Sequence, residues 1–216
     1  MDTLVNRPTT LKQPNRQRRK TRTALINAAQ QLFAETPIEG VTVDDIVDRA
    51  DVAKGSFYNH FGDKNALADE VYDEIAKDLE DHIVKNNEGL SDPALRIARA
   101  LCTVMEYAKS HPQRLQALLA LEDRRTNYIS QLNKGLANDV RTGLEIGRLS
   151  GVDLEAGVLT VVGLVGVTMR SMISGNVTGS TKSLGSAMAA CALRALCVEP
   201  SDAARLGIEA AQDIVK

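Results

Sequence analysis

Tryptophan is missing from this 216-residue chain, and its other aromatics are only three Phe and four Tyr. All three Phe (Phe33, Phe57, Phe61) fall in the first third, so the rest must build its core from Leu, Val, Ile, Ala and Met. A planar cationic ligand wants an aromatic cage, and the later part offers only Tyr72, Tyr107 and Tyr128. Cysteine is scarce too. Cys102, Cys191 and Cys197 have neither metal nor disulfide spacing and read as small apolar residues in a reducing cytoplasm. His60, His82 and His111 are too scattered for a metal site, and no cofactor is expected. No apolar segment follows the basic N-terminus, so no secretory signal is expected. The longest uncharged run, Ala156 to Met169, is shorter than the ~20 apolar residues that cross a bilayer, so no membrane partner is expected. Nucleophile elbow, phosphate loop and paired metal ligands are all lacking, which argues against an enzyme.

What is present is uneven charge and helical periodicity. The net charge is -2, yet Arg7, Lys12, Arg16, Arg18, Arg19, Lys20 and Arg22 face only Asp2 within the first stretch. Such a basic arm is a nucleic-acid footprint or a solvated tail. Beyond it no strand pattern or internal repeat interrupts the helical period, and nine to ten helices are expected in an all-α fold. The first is expected from about Lys20 to Glu35, with Leu25, Ala29, Leu32 and Phe33 inward. Thr42 and Asp45 have capping-box spacing at the start of a short second helix ending near Ala50. A third covers about Lys54 to Phe61, and Asp63 caps a long fourth, Lys64 to Asn86, with Leu67, Val71, Ile75 and Leu79 inward. Further helices are expected over about Pro93–Ser110, from Pro112, in a long one ending near Ser150, and over about Asp153–Ser174 and Thr181–Val198, with a short one after Pro200.

Helices two and three, joined by the tight turn Asp51-Val52-Ala53, describe a helix-turn-helix. Val52, Phe57 and Phe61 should lock the unit from inside. Lys54, Gly55, Ser56, Tyr58, Asn59 and His60 are then left outside, a set of donors and acceptors of varied reach beside a glycine that admits a close partner. Tyr58 and His60 can hydrogen-bond phosphates, and Lys64 adds a cation at a helix N-terminus.

Thr42-Val-Asp-Asp-Ile, Ala50, Val52, Lys54-Gly-Ser-Phe-Tyr-Asn-His-Phe, Lys64 and Leu67 together resemble the N-terminal domain of TetR-family transcriptional regulators, over about residues 20–70. The resemblance implies a homodimeric, ligand-responsive protein on a double-stranded DNA operator, most often a repressor. It implies phosphate contacts by Thr42, Tyr58, His60 and Lys64, and base reading by Lys54, Gly55, Ser56 and Asn59. Arg18 and Arg19, in the basic arm, would reach an adjacent minor groove. The chain would divide into a flexible basic arm (1–19), a helix-turn-helix domain (20–66) and a helical effector-binding and dimerisation domain (67–216). Two positions depart from the family pattern: Asp51 stands where the turn glycine is usual, and Ala53 where a Ser usually caps helix three.

In the larger part, Ala156 to Met169 is apolar or small on every side and reads as buried all round. With the following alanine-rich helix it suggests a four-helix dimer contact through Gly163, Leu184, Met188, Cys191, Ala192 and Ala195. An effector pocket among the middle helices would draw on Leu101, Met105, Ala108, Leu118, Tyr128, Leu132, Leu136, Val165 and Met169. Its aliphatic character points to a small apolar effector. The alternative is a DNA-binding regulator with no small-molecule ligand, controlled by a protein partner.

Overall fold

The computed structural model describes residues 13–122 and 133–216. Among these residues the chain forms ten α-helices and no strand: α1 Gln13–Glu35, α2 Val43–Arg49, α3 Lys54–Tyr58, α4 Lys64–Asn86, α5 Pro93–Ser110, α6 Pro112–Glu122, α7 Lys134–Glu145, α8 Leu154–Ile173, α9 Thr181–Ala195 and α10 Pro200–Ile214, with a 3-10 turn at Ile38–Gly40. The local signals explain most boundaries. Thr42 and Asp45 close a full capping box at α2, Asp63 accepts from Ala66 N–H at the start of α4, and Pro93 and Pro112 open α5 and α6.

Two apolar clusters fill the molecule. The first joins α1, α2 and α3 to α4, α6 and the last turns of α5, so the core runs across residue 66 without a break. The second packs the first part of α5 against α7, α8, α9 and α10. Arg148 ties the turn after α7 to two other helix starts, at 3.0 Å from Asp92 Oδ2 and 2.6 Å from Asp202 Oδ2.

Three expectations are corrected. Helix α1 begins by Gln13 rather than near Lys20, so the basic arm is helical from Gln13 onward. Arg, Lys and Gln are good helix formers and extend a helix in solvent without an apolar stripe. Of the two helices expected between Pro112 and Ser150, α6 opens at Pro112 and α7 is shorter than expected. The second stops at Glu145, where Gly147 and Gly151 adopt positive φ (both 71°).

Helix α8 is not buried all round. At 20 residues it has the length and apolar composition of a membrane span, which the uncharged run alone did not reach, and 33% of that window is buried. Leu159 and Val167 lie 45% and 63% exposed on its open face. Composition reports that a helix is apolar, not how many sides are covered by its own subunit.

The turn before α3 behaves as its residues dictate. Asp51 takes φ 51°, a left-handed conformation that aspartate tolerates. Ala53 stands in extended backbone at the N-cap with no side-chain hydrogen bond to offer. Ala53→Ser should therefore supply the missing cap, worth ~1 kcal/mol, and raise Tm by about 2–4 °C. A melting curve that does not move, or moves down, would show that α3 gains nothing from the cap.

Candidate nucleic-acid interface and effector cavity

Phe57, fully buried, anchors α3, with Phe61 beside it at 5.8 Å between ring centroids. The five-residue helix has no room for a second inward ring, so Tyr58 points out, 56% exposed. Lys54, Gly55 and Asn59 are exposed on the same short helix and its C-cap, with Ser56 and His60 half-buried. A Cβ added at Gly55 would meet nothing within 4 Å, so no packing inside the protein requires the glycine.

A shallow groove of about 570 Å³ brings Ser56, Asn59 and His60 together with Gln17, Arg18 and Thr21 of α1. Arg18 thus joins the α3 face from within a helix rather than from an extended arm. Arg19 is exposed but does not line the groove. Sequence reasoning missed Gln17 and Thr21, although their i, i+4 spacing around Arg18 puts them on one helical face. Arg22, counted in the basic arm, pairs with Glu70 at 2.6 Å and lies 5.5 Å over the Phe61 ring. Burial, then the charges of Arg18 and Arg22, hold His60 below the ordinary histidine range.

Several predicted contacts already have partners. The Thr42 hydroxyl donates to Asp45 Oδ2 at 2.6 Å and accepts from Asp45 N–H at 3.1 Å, so it is first of all the anchor of α2. Lys54 pairs with Asp44 at 2.7 Å, with both side chains more than half exposed, an arrangement that an incoming anion can exchange. The Lys64 ammonium donates to the carbonyls of Ile38 and Val41 at 2.5 and 2.6 Å. Two of its three N–H donors hold the 3-10 turn against α4, and one is left for a phosphate.

The effector region is a narrow apolar cavity of about 90 Å³. Leu101, Leu118, Leu136, Val165 and Met169 line it, as expected. Met105 does not. It turns to the second cluster, where a Cβ at Gly185 would sit 3.7 Å from its sulfur. Helix α5 is apolar on both faces, and periodicity alone cannot say which face meets the cavity. Tyr128 and Leu132 lie outside the described residues. The α4 wall (Tyr72, Leu79, Ile83) was missed because the same stripe reads as plain core.

Of the residues expected at a dimer contact, Gly163, Cys191 and Ala195 are exposed, and Leu184 and Met188 are half-buried. Ala192 is fully buried inside its own subunit, so it is not on that surface.

Residues 25–71 match the family model described as bacterial regulatory proteins, tetR family. The same region is similar to the transcriptional repressor DhaR of Mycobacterium sp. (strain GP1), 40% identical over 33% of this chain and 36% of that one. The match therefore spans about a third of that relative's length. Over most of the chain the fold matches a structure from Shewanella sp. PV-4 assigned provisionally to the tetR family of transcription regulators (TM-score 0.73, 18% identity, 82% of this chain and 97% of that one). It also matches the transcriptional regulator FadR from Bacillus subtilis in complex with stearoyl-CoA (TM-score 0.65, 17% identity, 79% and 97%). At these identities the likeness extends to the fold.

Two outcomes are expected at this face. Gly55→Ala has room and gains helix propensity, roughly 0.8–1 kcal/mol, so the protein should melt no lower. The added methyl should nonetheless cost about 1–3 kcal/mol of operator affinity by overpacking the contact with DNA. Unchanged affinity in a mobility shift would move the DNA away from Gly55. For His60, phosphate contact would raise a pKa that the free protein holds low. Affinity should then rise as pH falls from about 8 to about 5.5, with proton uptake on binding. The same series with His60→Asn should be flatter, and equal slopes would remove His60 from the contact.

Proposed function

We propose that the protein is a cytoplasmic transcriptional repressor that binds an operator as a homodimer and leaves it when a small apolar ligand enters the cavity between α4, α5, α6, α7 and α8. The observation that carries the DNA-binding part is the α3 face. Its polar residues and open Gly55 stand outward over a fully buried Phe57, beside Arg18 of α1. Ser56 and Asn59 would read base edges with Lys54 and Gly55, while Tyr58, His60 and Lys64 would contact phosphates. Thr42 would join them once its hydroxyl leaves Asp45. The ligand part is supported by the apolar cavity, whose polar lining among the described residues is Tyr72 and Asn133. It is also supported by the FadR fold neighbour, which is described with an acyl-CoA ligand.

The homodimer reading rests on α8 and α9. Ala156, Leu159, Gly163 and Val167 are exposed along one face of α8, and Ser183, Ala187, Cys191 and Ala195 repeat every four residues along α9. Two such faces brought together by a two-fold axis would make a four-helix contact of small and apolar residues. A domain division at about residue 66 is proposed on function rather than packing.

Val167→Glu tests the assembly without disturbing the subunit, because the side chain is 63% exposed. The variant should melt like the parent but sediment as a monomer and lose operator affinity. Two recognition helices must sit about one DNA turn, ~34 Å, or a multiple apart. A stable dimer that binds normally would place the interface elsewhere. A mobility shift with the DNA upstream of the protein's own coding sequence supplies the operator, and no shift there or with genomic fragments would overturn the repressor reading.

A further inference from the structure

A second cavity of about 330 Å³ lies one helical turn along α5, α6 and α8 from the first, with Thr181 and Leu184 of α9 on its far side. On α5 the lining passes from Val104 to Ala108, on α6 from Leu119 to Gln116, and on α8 from Met169 to Met172. Steps of three and four residues keep each pair on one helical face, so the two spaces are aligned end to end. Between the inner and outer linings stand a small residue, Ala108, and two methionines, Met169 and Met172. Methionine is unbranched and readily changes rotamer, so this partition can open without moving a helix.

The two compartments differ in character. The inner one is lined almost wholly by aliphatic side chains. The outer one opens beside Gln116, Thr181 and Lys109, and Lys109 is the one ionisable side chain among its described lining residues. The Lys109 ammonium is half exposed, donates to the Lys216 carbonyl at 2.5 Å and stands 3.9 Å from Glu106. With no acid among the described lining residues, and Glu106 only a loose partner, the Lys109 cation at the mouth can take an anionic head.

We infer that the ligand of this site is an unbranched fatty carboxylate, its tail threaded past Ala108 and Met172 into the inner cavity and its head at Lys109. The inference rests on the ligand-responsive reading proposed above. From Ile97 to Lys109 the lining of α5 extends about 18 Å at 1.5 Å per residue. An extended chain advances ~3.3–3.6 Å per three bonds, so roughly fifteen bonds span the two cavities. A compact ring would fill one compartment and leave the other unused.

Calorimetric titration of the whole protein with hexanoate, octanoate, decanoate and decanol tests this. Affinity should rise roughly fourfold per methylene, the equivalent of ~0.8 kcal/mol for each one buried, and decanoate should outbind decanol. Lys109→Gln should weaken decanoate and leave decanol unchanged. Ala108→Leu, which plugs the junction, should remove the gain beyond hexanoate. If its melting curve shows that it does not fold, the length series and Lys109→Gln decide alone. Affinity independent of chain length, or equal binding of decanoate and decanol, overturns the carboxylate inference. If toluene then binds and releases operator DNA in a mobility shift, the apolar-effector reading survives it. If decanoate, decanol and toluene all fail to bind, both are overturned.

Discussion

One buried stripe on α4 organises the molecule. Leu67, Val71, Ile75 and Leu79 are each nearly or fully inaccessible, and they run without interruption from the core beneath the helix-turn-helix to the wall of the inner cavity. Both ends are fixed by polar contacts. At the start, Lys64 holds two backbone carbonyls of the preceding turn. Farther along, the Tyr107 hydroxyl donates to Asp78 Oδ2 at 2.8 Å, and Arg114 reaches the same oxygen at 3.5 Å. Burial, then the Asp78 bond, push the Tyr107 pKa well up, so the phenol stays a neutral donor across the physiological range. The aliphatic stripe supplies cohesion, and the paired polar ends set where along its neighbours the helix sits.

This arrangement gives Lys64 two parts to play. An ammonium bonded to two carbonyls is a structural group, and deleting it leaves those carbonyls unsatisfied. It is also the cation nearest the start of α4. A substitution there would lower stability and DNA affinity together, so it cannot isolate a phosphate contact. Gly55 and Val167 are cleaner probes because no neighbour inside the subunit depends on either side chain.

How much could be read from the sequence follows from how local each signal is. The capping box at Thr42, the cap at Asp63, the strained turn at Asp51 and the inward Phe57 are decided within a few residues, and all four stand as expected. The groove partners of α3 are not local. Arg18 reaches Ser56 and His60 only because α1 begins seven residues earlier than its expected start at Lys20. Met105 and Ala192 were misplaced for a related reason. Both lie on helices with small or apolar residues on more than one face, and only the neighbouring helices decide which face meets a cavity, a core or solvent. The apolar surface of α8 is the same problem in reverse, since a helix that awaits a partner and a helix inside a core have one composition.

The size of the inner cavity bears on how a ligand could act. At about 90 Å³ it is smaller than the pockets that enclose drug-sized ligands, ~300–1,000 Å³. An occupant of that size must therefore part the walls or extend into the outer compartment. The walls are α4, α5, α6, α7 and α8, and α6 shares one apolar core with α1 and α4. Close-packed interiors transmit strain rather than absorb it, so displacement of α6 or α4 by a ligand reaches the element that carries α3. On the proposed reading, the operator-bound arrangement would be the one with the cavity narrow. A ligand shifts that balance only by its preference for the wider state. Methylenes that fit the widened cavity and not the closed one would then do more than add affinity: each would add directly to the free energy that separates the protein from DNA.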